Sequence, residues 1–151
     1  MRSLLITSVL MLLIFGYKET KSKTDTLKIH GNVLEKPKEE NYLSVYGSDA
    51  LELKKLENSN ISYSRKIHVN FNFTVAQIIW AIGHEMAMNV EDVLARRTRL
   101  LFLDAKAAIE ASPFVAKIMA DELKKDDVWI DEQVEKFKKV AITYTIDHYY
   151  G

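Results

Sequence analysis

An all-α fold follows from three features of this chain. Apolar residues recur at helical spacing from Thr74 to Tyr144, N-cap residues stand ahead of those runs, and only 5 glycines and 2 prolines interrupt 151 residues. That balance suits a helical globule better than a turn-rich sandwich. The expected architecture is a compact orthogonal bundle of roughly four to five helices behind a partly extended N-terminal lead-in, in one domain. The segments expected are an apolar stretch over 1–17, a polar linker over 18–41, a lead-in over 42–73 and the helical domain over 74–147.

From Leu4 to Phe15 the chain reads LLITSVLMLLIF behind Arg2. This is the layout of a signal sequence or short anchor, although it is shorter than the about 20 apolar residues of a spanning helix and has no A-x-A site after it. A buried N-terminal helix, or a start within the remains of a longer gene, is the alternative. Lys18 to Glu40 is polar and carries Pro37. Ser48 is placed to cap a short helix containing Leu51, Leu53 and Leu56, and Asn58 to Asn72 reads as loop.

Thr74 caps the first long helix, in which Val75, Ile78, Ile79, Ile82 and Met86 fall on one face. Asn89 restarts the chain as a second cap, with Asp92 three residues on in the place of a capping-box glutamate, so a helix begins near Val90. Glu91 and Asp92 in its first turn oppose the positive end of the helix dipole. Val93, Leu94, Leu100, Leu101 and Leu103 supply its apolar faces. Ser112-Pro113 predicts the end of one helix and the start of the next, because a residue before proline disfavours helical geometry while proline suits a first helical position. Val115, Ile118, Met119 and Leu123 form the next stripe, and Lys124 to Asp127 breaks it. The last helix runs from about Val128, and Ile130, Val134, Phe137, Ala141 and Tyr144 give it a continuous apolar edge.

Composition and spacing exclude several chemistries. Lysine and arginine balance aspartate and glutamate at 21 each, so no bulk field draws nucleic acid or an anionic surface. Cysteine is absent, which removes disulfides, thiolate metal sites and cysteine nucleophiles. His84-Glu85 begins like the H-E-x-x-H zinc helix, but Met88 stands where the second histidine must be. His30, His68 and His148 show no ligand spacing. No G-x-G-x-x-G turn and no nucleophile elbow occur in these residues. Trp80, Trp129 and the tyrosines read as core or interface.

The stretch Glu85 to Ala111, EMAMNVEDVLARRTRLLFLDAKAAIEA, resembles the C-terminal helical domain of FAD-dependent glycerol-3-phosphate dehydrogenases and alpha-glycerophosphate oxidases. Glu85, Met86, Ala87, Glu91 to Leu100 and Asp104 stand in the family's places. The likeness reaches back to Leu27-Lys28-Ile29-His30-Gly31 and Tyr46-Gly47-Ser48-Asp49-Ala50, and forward through Tyr144. It implies a helical cap that, in full-length relatives, packs against a flavin and substrate domain holding most catalytic groups.

Arg96, Arg97 and Arg99 suit phosphate, which is part of that family's substrate, since guanidinium forks match phosphate oxygens. Their closeness to acids makes ion pairing the simpler use. Glu85, Asp92, Arg96, Arg97, Arg99 and Asp104 are therefore expected to form a structural network joining the first and second long helices. No catalytic, cofactor-binding or metal-binding residue is assigned, and FAD belongs to full-length relatives rather than to these residues.

The expected role is that of a stand-alone or truncated cap domain linked to glycerol-3-phosphate metabolism, not catalytic alone, with a separate flavin-domain chain as partner and no nucleic acid. The alternative is an exported or membrane-tethered interaction module, with membrane association through Leu4 to Phe15. Family resemblance implies a cytoplasmic or peripheral membrane location, and a true signal at Leu4 to Phe15 implies export or anchoring.

Overall fold

The computed structural model describes residues 21–29, 31–32 and 41–146. The protein is all-α, with no strand among those residues and one isolated antiparallel bridge between Lys66 and Thr74. A 3₁₀ turn at Ser44–Asp49 runs into α1, Ala50–Ser59, and a second 3₁₀ turn follows at Ile61–Ser64. Then come α2, Val75–Glu85, a π-helical segment at Asp92–Arg97, the single turn α3 at Leu100–Leu103, and the long helices α4, Ala105–Leu123, and α5, Asp127–Ala141. The apolar stretch Leu4 to Phe15 and half of the linker lie outside the described residues.

The helix α2 is the centre of the fold because it is apolar nearly all round, and such a helix must be covered on every side. Ile78 and Ala81 face the main core, which also takes Val90, Leu94, Leu100, Val115, Met119 and Phe137. Ala76 and Trp80 face a second cluster built with Leu43 and Leu53 of the lead-in. The lead-in thus shares a hydrophobic core with α2. The loop between them closes on itself, with Ile67 N–H donating to Phe73 O at 2.9 Å and Val75 N–H to Arg65 O at 3.0 Å.

The α2 start is capped as the sequence implies: Thr74 N–H donates to Gln77 Oε1 at 2.8 Å, which satisfies an amide the helix cannot reach. The cap at Asn89 is reciprocal. Asp92 N–H donates to Asn89 Oδ1 at 2.9 Å and Asn89 N–H to Asp92 Oδ2 at 3.2 Å. Downstream, α4 packs chiefly on α5, and α2 and α3 lie against α4. Three residues join α4 to α5, with Lys124 in the left-handed region and Asp126 Oδ1 accepting the Trp129 N–H at 2.9 Å.

Several sequence expectations are corrected. The chain does not break at Ser112-Pro113; α4 runs through Pro113. Proline removes the N–H that would bond the Ile109 carbonyl, and Ser112 Oγ donates to that carbonyl at 2.7 Å in its place. Ser48 is not the cap of α1. The 3₁₀ turn precedes the helix directly, and Ser48 Oγ donates to Asp49 Oδ1 at 3.2 Å. The stretch expected as loop from Asn58 begins with the end of α1 and holds the second 3₁₀ turn. Met86 leaves the α2 stripe in a left-handed conformation and is exposed, and Leu103 and Tyr144 also stand exposed. Tyr144 falls in a 3₁₀ turn after α5, which redirects its side chain edge-on to Phe102 with ring centres 5.6 Å apart.

Gly47 holds the one backbone geometry that needs glycine outright. Its φ of 55° and ψ of −123° are closed to other residues, and a Cβ there would overlap the carbonyl of Gly31. Gly31 and Gly47 therefore meet backbone to backbone.

Candidate functional site

The most concentrated charge chemistry gathers where α2 ends and the π-helical segment begins. Its geometry starts with Asp92. Oδ2 of that carboxylate accepts the amides of Met88, at 3.0 Å, and Asn89, while Oδ1 accepts from Arg96 Nη1 at 2.7 Å. Arg96 Nη2 reaches Glu91 Oε1 at 2.8 Å, so one guanidinium bridges two acids of its own segment. Arg97 turns the other way. Its Nε lies 3.1 Å from Glu85 Oε2 and its Nη2 donates to the Glu85 carbonyl oxygen, clamping the last turn of α2.

The π-helical geometry has a local cause. Thr98 N–H and Thr98 Oγ1 both donate to Val93 O, at 2.9 Å each, so the turn closes over five residues rather than four. One residue is thereby accommodated beyond an α-helical register. Arg99 follows with φ of 58°, and α3 starts after it.

A cleft beside this cluster is lined by Val45, Tyr46, Glu85, Arg96 and Arg97, and a second beside it by Gly31, Asp49, Trp80 and His84 among others. Burial pushes the Tyr46 hydroxyl up to about 12, with the Glu85 charge adding to it against the hydrogen bond from Gln77 Nε2 at 3.3 Å. Burial also raises the Glu85 carboxyl above the ordinary glutamate range; the Arg97 and His84 charges oppose that, and Asp49 reinforces it. His84 stacks on Trp80 with ring centres 3.8 Å apart and planes 9° from parallel.

Of the six residues expected in one network, the structure brings together Glu85, Asp92, Arg96 and Arg97. Asp104 stands apart as the N-cap of α4, its Oδ1 accepting the Ala107 N–H at 2.9 Å. Arg99 forms no ion pair among the described residues. Glu91, one of the acids near the arginines but not among the six, joins the network through Arg96. Sequence reasoning also missed a triad around buried Glu57 in the lead-in: Glu57 Oε2 accepts from Tyr42 OH and from Lys54 Nζ, both at 2.6 Å. Burial alone would raise the Glu57 carboxyl, but Lys54 and Tyr42 outweigh it and hold it below the ordinary range. The available signal was its spacing four residues after Leu53, which puts both on the buried face of α1. No group of three or more potential metal ligands occurs among the described residues.

Fold and cluster together define a small all-helical domain in which the Arg96 and Arg97 guanidinium groups are engaged by its own acids. The chain belongs to the family described as the C-terminal domain of alpha-glycerophosphate oxidase, whose model matches residues 11–129. It is 41% identical over 64 residues to the mitochondrial glycerol-3-phosphate dehydrogenase of Schizosaccharomyces pombe, covering 42% of this chain and 10% of that protein. It is 34% identical over 99 residues to a probable mitochondrial glycerol-3-phosphate dehydrogenase of Dictyostelium discoideum, covering 66% of this chain and 15% of that protein. The human mitochondrial glycerol-3-phosphate dehydrogenase is 32% identical over 102 residues, or 64% of this chain and 14% of that protein. The chain thus spans a small fraction of the length of the curated relatives it matches. No solved structure matches it.

Proposed function

We propose that this domain is a structural cap for an FAD-dependent glycerol-3-phosphate dehydrogenase, completing a flavin-bearing body and performing no redox step with its own residues. The observation that carries the reading is the family match over 119 residues, counted from 11 to 129, in sequence without a dinucleotide-binding glycine turn. The commitment of Arg96 and Arg97 to Glu91, Asp92 and Glu85 supports it, because Arg97 fastens α2 to the segment after it while Arg96 braces that segment's own first turn. FAD would be held by the body. Two measurements test the proposal. The purified chain is expected to be colourless and without dehydrogenase activity. A full-length fission yeast enzyme in which this chain replaces the segment it matches is expected to bind flavin and oxidise glycerol 3-phosphate. A yellow, active isolated domain, or a chimera without flavin, overturns the proposal.

Leu4 to Phe15 favours a second reading, a membrane-tethered interaction module. No helix among the described residues is long and apolar enough to cross a membrane, so that tether would rest on the N-terminal stretch alone. Recovery of the whole chain in the wash of an alkaline-treated membrane fraction counts against this reading.

A further inference from the structure

The end of α2 is closed by a left-handed residue, a common way for a helix to satisfy its last carbonyls. Met86 adopts φ of 57° and ψ of 35°, a left-handed conformation that costs a residue with a Cβ about 1 kcal/mol or more. It is held there by the Arg97 clamp on the preceding carbonyl and by Ala87 N–H donating to Ala81 O at 3.0 Å. The result is a large apolar side chain pushed outward. Met86 is 83% exposed, Met88 58% exposed, and Val45, on the wall of the adjoining cleft, 85% exposed. Methionine is common on protein-binding surfaces because its flexible, polarisable side chain adapts to the opposing face.

The charges of this face narrow its occupant. Arg96 and Arg97 are satisfied by Glu91, Asp92 and Glu85, so a phosphate-rich ligand would have to displace carboxylates at 2.7 to 3.1 Å. An apolar protein surface needs no such exchange. The chain's own path identifies which protein. Gly31 lines the same cleft as Val45 and Glu85, so the linker reaches this face. The matched relatives carry all but 10% to 15% of their length outside the matched part, and the family match begins at residue 11, at the lead-in side. A body that precedes the linker is joined to this domain from the side where Gly31 sits.

Resting on the cap reading above, we propose that the face bearing Val45, Met86 and Met88 is where this domain docks on the flavin-bearing body. The test uses the fission yeast chimera and the full 151-residue chain in parallel. Val45→Glu combined with Met86→Glu is expected to lower the chimera's flavin content and activity by about ten-fold or more, as loss of a central apolar contact does, while the isolated chain keeps its melting temperature. Phe102→Glu with Leu103→Glu, on the separate apolar patch beside Tyr144, serves as the control and is expected to leave flavin content unchanged. Full flavin content in the Val45/Met86 variant, or a loss confined to the Phe102/Leu103 variant, overturns this assignment while leaving the cap reading standing. A wild-type chimera without flavin sinks the cap reading, and this one with it. A melting temperature that falls in the isolated Val45/Met86 variant assigns these residues to folding instead and overturns the docking role.

Discussion

At the scale of single residues, stability turns on which charges have partners. Arg97→Ala removes a guanidinium that serves both the Glu85 carboxylate and its carbonyl, and should lower unfolding free energy by about 1–3 kcal/mol. That deficit depends on pH in a definite direction. Burial already makes the folded state hold the Glu85 proton more tightly than the unfolded chain does, and loss of Arg97 increases the difference. Protonation therefore relieves the variant, and its deficit should shrink between about pH 7 and about pH 5 in urea titrations. An equal deficit at both values contradicts the assignment. Glu57 has the opposite sign. Its folded carboxyl is held low, so its contribution is in place above the ordinary glutamate range and disappears as pH falls through the depressed folded value. Glu57→Gln should flatten the acid limb of the stability curve, measured by thermal melts in graded buffers. Arg96 with Asp92 was legible because the pair lies four residues apart on one segment. Arg97 with Glu85 was foreseeable only as closeness in sequence, since the π-helical turn that aims Arg97 backward arises from two Thr98 donors meeting at one carbonyl.

At the scale of elements, caps carried the readable information and proline misled. Asn89 with Asp92 and Thr74 announce helix starts because the chemistry that satisfies an orphan amide is local. Pro113 announces a break only if the carbonyl four residues earlier stays unsatisfied, and Ser112 prevents that by bonding Ile109 O from a site without solvent exposure. Ser112→Ala should accordingly cost about 1–3 kcal/mol by stranding a carbonyl. In a Pro113→Ala background the main-chain N–H returns to the same acceptor, so the cost of Ser112→Ala should fall markedly. A double-mutant cycle by chemical denaturation measures the coupling, and additive effects would remove the explanation. Met86 was misplaced for a related reason: helical periodicity runs past Glu85, but the backbone turns left-handed there, which no apolar pattern reveals.

At the scale of the whole molecule, the fold is one helix covered from two sides. Trp80 faces the lead-in cluster and Phe137 the main core, at 8% and 1% exposure, and replacing either by alanine should cost about 3–5 kcal/mol. Near-wild-type melting of both would show that α2 is not the shared core. Gly47→Ala should be destabilising out of proportion to a single methyl group, because it meets a forbidden backbone region and the Gly31 carbonyl together. All-α class was legible from period and composition, whereas the joining of lead-in to α2 was not, since Leu43 and Leu53 carry no periodic mark of their partner. One bond reaches across the sequence further than the cluster around it: Val90 N–H donates to Gln133 Oε1 at 3.3 Å, 43 positions further along the chain. Proteins are made from the N-terminus, so the amide at Val90 waits for Gln133 to leave the ribosome, and the segment carrying Arg96 and Arg97 cannot complete its own start until α5 has been made.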